Sequence, residues 1–365
     1  MVGASVRAAA QGAVRARFEV SAVDLFGDTD LEAIAEVRRV PASEYPEGLV
    51  AAARSAPPGP WMYTGGLENY PEVVRAISEG RELLGCGPEV LRCARDPVDW
   101  RHSLESPTEG KWVLKPRRSC GGRGITLYEQ PPYPSAREDQ LWQEYKEGRP
   151  QSAVYVSCKQ GFCLLGVTEQ LIGETWTGAK GFEYGGSIGP VEVSQAVREG
   201  YQQIGAILSG GFALRGLFGV DTVLAPSGLP APIELNPRYT ASIEVLERGL
   251  PIEPLRWHVA ACRENRLPNV DWTPEMNRQV HGKAILFARR SYEISQRFVD
   301  RCISQNEDKV WPDLADLPHA ATRIEAGQPI LTLFADGVSV ESVRLSLKEK
   351  CGRLIEMLDR DCPAS

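Results

Sequence analysis

Two short apolar stretches carry acids in positions that suggest a metal. Asp221 lies in GLFGVDTVL (residues 216–224), and Glu234 and Asn236 lie in PIELNPR (residues 232–238). A turn near Ser227 and Gly228 folds the two into an antiparallel hairpin, with Asp221 facing the stretch from Glu234 to Asn236. Glu234 and Asn236 are two apart and so share one face of their strand. Three oxygen-bearing side chains then converge, a ligand set that suits Mg2+ or Mn2+ shared with substrate phosphates. Carboxylates inside an apolar hairpin are costly without such a cation. Arg238, two residues further on, points to the same place, where its guanidinium can pair bidentately with phosphate oxygens. Either strand alone reads as a surface hairpin with a chance acidic pair. Their joint spacing favours the metal.

A second pattern lies upstream. Lys115 ends the strand WVLK and is followed by RRSCGGRG, which holds Ser119, Gly121, Gly122 and Gly124. Glycines let backbone N–H groups approach phosphate oxygens without a clashing Cβ, and Lys115 adds a compact positive charge. The GxxxxGK[ST] spacing of a Walker loop is absent. A lone GGRG is weak evidence. A lysine, a glycine loop and a downstream acidic hairpin in this order are much stronger.

The elements that must position these groups alternate between strand and helix, an α/β to α+β chain. A short strand at residues 2–5, an alanine-rich helix at 8–17 and a strand at 18–26 predict a parallel start. Residues 51–66, with PPGP and YTGG, read as a loop, and residues 72–84 as a helix opened by Pro71. Strands follow at 112–115, 125–128 and 141–145, with a turn at 147–150. A hairpin is expected at 152–158 and 162–170, and a polar, glycine-rich loop at 180–187 before a helix at 192–208. Strands at 283–287 and 330–334 and a helix at 340–359 close the chain. Asp24 and Asp28 are explained by turn formation and capping. His281 and Lys283 read as the surface end of a strand.

The lysine strand, glycine loop and acidic hairpin together resemble the ATP-grasp superfamily over residues 96–238. The resemblance implies an N-terminal Rossmann-like pre-ATP-grasp domain (1–95), a lid subdomain (96–148), a core with the metal site (149–268) and a C-terminal extension (269–365). It implies ATP and Mg2+ (or Mn2+), with Lys115 and the glycine loop over the phosphates. The segment WQEYKEG matches the family's adenine-reading hinge, which includes Glu144. There the backbones of Gln143 and of Tyr145 or Lys146 would meet adenine, with Glu147 near the ribose. The family's metal positions fall on Asp221, Glu234 and Asn236, and its arginine on Arg238. The implied reaction is ADP-forming ligation of a carboxylate to an amine through an acyl phosphate, with Lys115 and Arg238 offsetting charge. Where the family carries a DK pair ahead of the lid, this chain has Arg95-Asp96-Pro97, which leaves open whether Arg95 replaces the first lysine. The loops at 180–187 and 63–69 lie where the family's substrates bind. SAVDLFGDTD (residues 21–30) is similar to the branch that includes tyramine–glutamate ligase of methanofuran synthesis.

Composition narrows the partners. The 41 basic and 48 acidic residues give a formal charge of −7, unlike the basic face that nucleic acid requires. No apolar run approaches the ~20 residues of a membrane span, and the first residues lack the apolar core of a secretory signal. The nine cysteines have no metal spacing, which predicts free thiols in a reducing cytoplasm. Cys120 reads as a small filler. The expected partners are a small-molecule acid and amine, with no nucleic acid and no membrane, and a homodimer left open. A catalytically silent nucleotide-binding regulator and a carboxylase-type acyl-phosphate enzyme are the alternatives.

Overall fold

The computed structural model describes residues 1–95, 102–103, 106–269 and 279–362. The chain opens as a small parallel α/β unit. Strand Ser21–Asp24 pairs in parallel with Glu36–Arg39, and Val2 bridges in parallel to Val23 and Tyr63. The expected first strand is thus a single bridging residue. Helix Arg7–Arg15 follows it, built on alanines that lose no side-chain entropy on ordering. Asp24 does form the expected turn: its carboxylate accepts the N–H groups of Phe26 at 2.7 Å, Gly27 at 2.8 Å and Val6 at 2.7 Å.

Two expectations for this region change. Residues 51–55 belong to helix Gly48–Ser55, and Trp61 and Tyr63 make strand bridges to Leu83 and Val2, so only the Pro/Gly part of the supposed loop is irregular. Helix Pro71–Ser78 stops well before residue 84, because Leu83 is needed to pair with Trp61. Arg95, on which the first-lysine question turns, closes helix Pro88–Arg95, and Asp96 and Pro97 lie outside the described residues.

The second unit is a four-stranded antiparallel sheet ordered His102–Ser103, Gln140–Glu144, Trp112–Pro116, Thr126–Tyr128. Trp142 is fully buried, with the rings of Tyr128 and Tyr133 edge-on to it at 5.2 and 5.6 Å. The glycine loop joins Trp112–Pro116 to Thr126–Tyr128.

The third unit is an eight-stranded antiparallel sheet. Its order is Pro230–Asn236, Gly216–Leu224, Arg149–Cys158, Gly161–Ile172, Tyr184–Gly189, Val280–Phe287, Pro329–Gly337, Leu314–Ala315. Side chains alternate across each strand. Ala153 and Tyr155 pack with Val197, Tyr201 and Leu208 of helix Gln195–Phe212, while Val154 and Val156 pack with Ile243, Leu246 and Leu255 of helices Ala241–Gly249 and Pro254–Arg263. Covering both faces explains the apolar run AVYV at residues 153–156 of strand Arg149–Cys158. Helix Gln195–Phe212 begins three residues later than expected because Ser194 caps it, accepting the Val197 N–H. The turn expected at 147–150 is half strand, since Arg149 already pairs with Leu224.

The last three strands of the sheet come from the C-terminal part, so that part extends the central sheet. Helix Val340–Asp361 starts in a capping box between Ser339 and Ser342 and buries Val343, Leu347, Leu354 and Leu358, one stripe at helical spacing. A buried ion cluster fastens the three regions together. The Arg7 guanidinium pairs with Glu244 and Asp316, and Lys283 pairs with Glu244 at 2.9 Å. Lys283 is therefore not at the surface: it is 4% exposed, because its side chain turns inward to Glu244. Burial alone would raise the Glu244 carboxyl, but Arg7, then Lys283, outweigh it and hold the group well below the usual carboxylate range. Among the described residues no helix is long and apolar enough to cross a membrane, and all nine cysteines are free.

Candidate active site

Strands Gly216–Leu224 and Pro230–Asn236 form the expected hairpin, and Asp221 stands directly opposite Glu234, with Gly219 opposite Asn236. Asp221 accepts hydrogen bonds from Gln170 Nε2 at 3.0 Å and Asn236 Nδ2 at 3.1 Å. Burial, and after it the charge of Glu234, pushes the Asp221 carboxyl up to about 6. A divalent ion between the two carboxylates would relieve that repulsion, so this donor set suits Mg2+ or Mn2+. Asn236 presents its amide nitrogen to Asp221 and its oxygen to Arg238 Nη2 at 2.8 Å. Ligating a metal through that oxygen requires the amide to turn over. Among the described residues no group of three or more His, Cys, Asp or Glu side chains is placed to hold a metal. The remaining ligands must come from Asn236, substrate oxygens or water, as in sites where the ion is shared with phosphates.

Lys115 reaches this hairpin from the four-stranded sheet. Its Nζ lies 3.5 Å from Glu234 Oε2 and 3.3 Å from Gln143 Oε1. Gln143 in turn donates to the Ile233 carbonyl at 2.9 Å, so its side chain fixes strand Gln140–Glu144 to the acidic hairpin. Its backbone lies between two ladder partners, His102 and Val113. The expected backbone contact with adenine is therefore not open at Gln143. The Tyr145 N–H is taken by the Lys111 carbonyl at 2.9 Å. Lys146 pairs with Glu144 at 2.7 Å, and Glu147 pairs with Lys111 at 2.5 Å at the exposed end of the hinge.

The glycine loop folds down over the core. The Tyr184 N–H donates to the Gly121 carbonyl at 3.0 Å. Gly122 has φ +75°, and a Cβ there would collide with the Phe182 carbonyl. Gly121 and Gly124 also have positive φ, +67° and +76°. Glycine alone tolerates this path. The Ser119 carbonyl accepts from Asn69 Nδ2 at 3.2 Å, tying the loop to the first unit. The stretch read as a loop at 180–187 becomes strand Tyr184–Gly189 from its midpoint, and the Tyr184 hydroxyl meets Ser187 at 2.7 Å.

Arg238 joins the hairpin to the first unit. Besides Asn236 it donates to the Tyr239 carbonyl through Nη1 at 3.1 Å and to Glu68 Oε1 through Nε at 2.8 Å; Nη2 approaches the same oxygen at 2.7 Å. Burial disfavours the guanidinium charge, yet Glu68 beside it raises the pKa above its ordinary value. Glu68 is the site residue that sequence reasoning missed. The sequence points to its loop, 63–69, but nothing in a glycine-rich turn singles out the acid whose partner lies 170 positions away.

The model of the ATP-grasp domain matches residues 95–242. No curated protein matches the sequence. Among solved structures the chain is similar to the biotin carboxylase domain of Hydrogenobacter thermophilus 2-oxoglutarate carboxylase, solved with MgADP, ADP and bicarbonate (TM-score 0.66, 12% identity, 92% of this chain and 86% of that one). It is similar to N5-carboxyaminoimidazole ribonucleotide synthetase from Thermotoga maritima (TM-score 0.63, 14% identity, 97% of each chain). It is also similar to L-amino acid ligase from Bacillus licheniformis (TM-score 0.65, 14% identity, 99% of this chain and 96% of that one). With the lysine strand brought to the acidic hairpin and the glycine loop folded onto the core, the chain has the ATP-grasp fold and carries an ATP-grasp domain over residues 95–242.

Proposed function

We propose that the chain is an ATP- and Mg2+-dependent, ADP-forming ligase that joins a carboxylate to an amine through an acyl phosphate. The observation that carries this reading is Asp221 facing Glu234 with Lys115 on one side and Arg238 on the other. A divalent ion held by Asp221, Glu234 and the turned amide of Asn236 would neutralise phosphate charge. Lys115 offsets charge on the transferred phosphoryl group. Arg238 holds the acyl phosphate oxygens and then the oxyanion formed when the amine attacks. The glycine loop excludes water while the acyl phosphate exists. Ser119, Gly121, Gly122 and Gly124 face the phosphates in this reading, and residues 144–147 border the base and ribose.

The substrates are small molecules, an amino acid or a cofactor precursor, in a branch resembling tyramine–glutamate ligase. Support comes from SAVDLFGDTD and from a sequence with no extended basic run to suit a polymer. A carboxylase-type reaction is the second reading, supported by the likeness to a biotin carboxylase domain. Screening pairs of amino acids for ADP and phosphate release separates the two. A ligase releases ADP only when acid and amine are both present, whereas a carboxylase needs bicarbonate. Glu234→Gln should abolish turnover with the fold intact by circular dichroism. An active variant removes the metal assignment.

A further inference from the structure

Arg238 already holds an anion of the chain's own. Its Nε donates to Glu68 Oε1 at 2.8 Å, and its Nη2 approaches the same oxygen at 2.7 Å. Nη2 also donates to Asn236 Oδ1 at 2.8 Å, and Nη1 to the Tyr239 carbonyl at 3.1 Å. A guanidinium has five N–H groups, so these contacts leave one Nη1 hydrogen without a partner among the described residues. A bidentate grip on a phosphoryl group needs two. To make it, Arg238 must let a partner go, and Glu68 is the anionic one. The Glu68 grip uses Oε1 alone, for Oε2 takes no hydrogen bond among the described residues. Glu68 is also kept close by. Its short turn, Leu67–Asn69, is anchored by the fully buried Leu67 and by the bond from Asn69 Nδ2 to the Ser119 carbonyl. A Cβ on Gly65 would lie 3.5 Å from Arg238 Cζ.

The exchange changes what Glu68 can do. Its side chain is 13% exposed, and Arg238 is its salt-bridge partner among the described residues. Tyr45, Tyr63 and Cys120 also face it, and all three are neutral near pH 7: burial raises both phenols, and the thiol is uncharged. A carboxylate beside a guanidinium is a poor base. The same carboxylate, shielded, without its cation and next to a phosphoryl anion, is a much better one. A group that replaces Glu68 on the fork lies beside the carboxylate it replaced. We propose that Glu68 is the general base of the ligation, taking the proton of the attacking amine once Arg238 has turned to the phosphoryl group of the acyl phosphate. The proposal rests on the ligase reading above. The amine attacks in its neutral form. Its nitrogen bonds to the acyl carbon and passes a proton to Glu68. The bond from that carbon to the phosphate oxygen breaks, and Glu68 returns the proton to the departing phosphate. An amide, hydrogen phosphate and a carboxylate ready to rejoin Arg238 remain. The base is thus set free by the formation of the intermediate on which it is needed.

The test uses the full chain and the variants Glu68→Gln and Glu68→Asp. Methyl phosphate stands in for the phosphoryl group, and its binding to the MgADP complex is followed by calorimetry at about pH 7, where it is largely a dianion. Repeating the titration in buffers of different ionisation enthalpy counts the protons exchanged. The parent should take up about one proton, or a large fraction of one, per methyl phosphate bound. Glu68→Gln should take up none of it, and Glu68→Asp should restore it. Glu68→Gln should also bind methyl phosphate about tenfold more tightly, because the competing charge is gone. A Glu68 that merely braced Arg238 predicts the opposite sign, weaker binding in Glu68→Gln, and no proton uptake. Those outcomes, or failure of methyl phosphate to bind the parent's MgADP complex, overturn the proposal and leave the ligase reading standing. Failure of MgADP to bind overturns the ligase reading itself. If Glu68→Gln does not fold, infrared difference spectra of the parent decide: absence of a new protonated-carboxyl band on adding methyl phosphate rejects the base.

Discussion

Arg238 grips Glu68 through Nε and Nη2 and Asn236 through Nη2, a planar fork that lysine cannot reproduce. Arg238→Lys keeps the charge and loses the geometry. Turnover, followed as ADP release, should fall by about 10²–10³-fold, with the melting midpoint little changed. The residues of the acidic hairpin were legible because a short turn and strict alternation fix register: Asp221 could face only Glu234 or its neighbours, and it faces Glu234. Glu68 was not legible, since its meeting with Arg238 depends on how the first unit docks on the core. Gln143 was legible as part of the hinge and misread in its role. Its side chain, bonded to Lys115 and Ile233, joins two sheets, and no local pattern announces such a cross-sheet bond.

Among the elements, helix Pro254–Arg263 shows how a single imidazole can hold three segments. His258 Nδ1 accepts the Leu217 N–H at 2.9 Å, and Nε2 faces the Leu84 carbonyl at 3.1 Å as donor. The bond from Leu217 needs the neutral ring, since a protonated Nδ1 has no lone pair to accept it. Burial pushes its pKa down to about 4, whereas an unfolded chain would protonate it near 6.5. Stability from this group is therefore complete above about pH 6.5 and is lost as pH falls from there towards 4, by at most about 1.4 kcal/mol per unit. Urea midpoints between pH 8 and pH 4 should show this slope in the parent chain and a flatter one in His258→Gln. The elements that sequence reasoning missed have physical reasons. Strand Tyr184–Gly189 looked like a loop because it holds Gly185, Gly186 and Gly189, but a Cβ on Gly186 would strike the Lys283 carbonyl of the neighbouring strand. Glycine there marks close packing of backbones. Helix Ala241–Gly249 carries Glu244 and Glu247, both buried, so its core face is partly charged and the apolar stripe that signals a helix is broken.

For the whole molecule, the Arg7–Glu244–Lys283–Asp316 cluster couples regions that lie 237 and 309 positions apart in sequence. Such pairs are weak evidence of net stability, yet removing one partner strands a buried charge. Arg7→Met should cost about 3–5 kcal/mol in denaturant unfolding, and the unfolding should remain a single transition because the cluster spans the first unit, the central sheet and the C-terminal part.

The placement of Val280–Phe287 against Tyr184–Gly189 has a practical meaning for anyone trimming this gene. A fragment halted near residue 268 would leave the six-residue strand Tyr184–Gly189 with its flank bare, displaying unpaired amides and carbonyls to every neighbouring copy. Such pieces should be recovered as inclusion bodies, whereas the intact polypeptide seals that flank with its own tail.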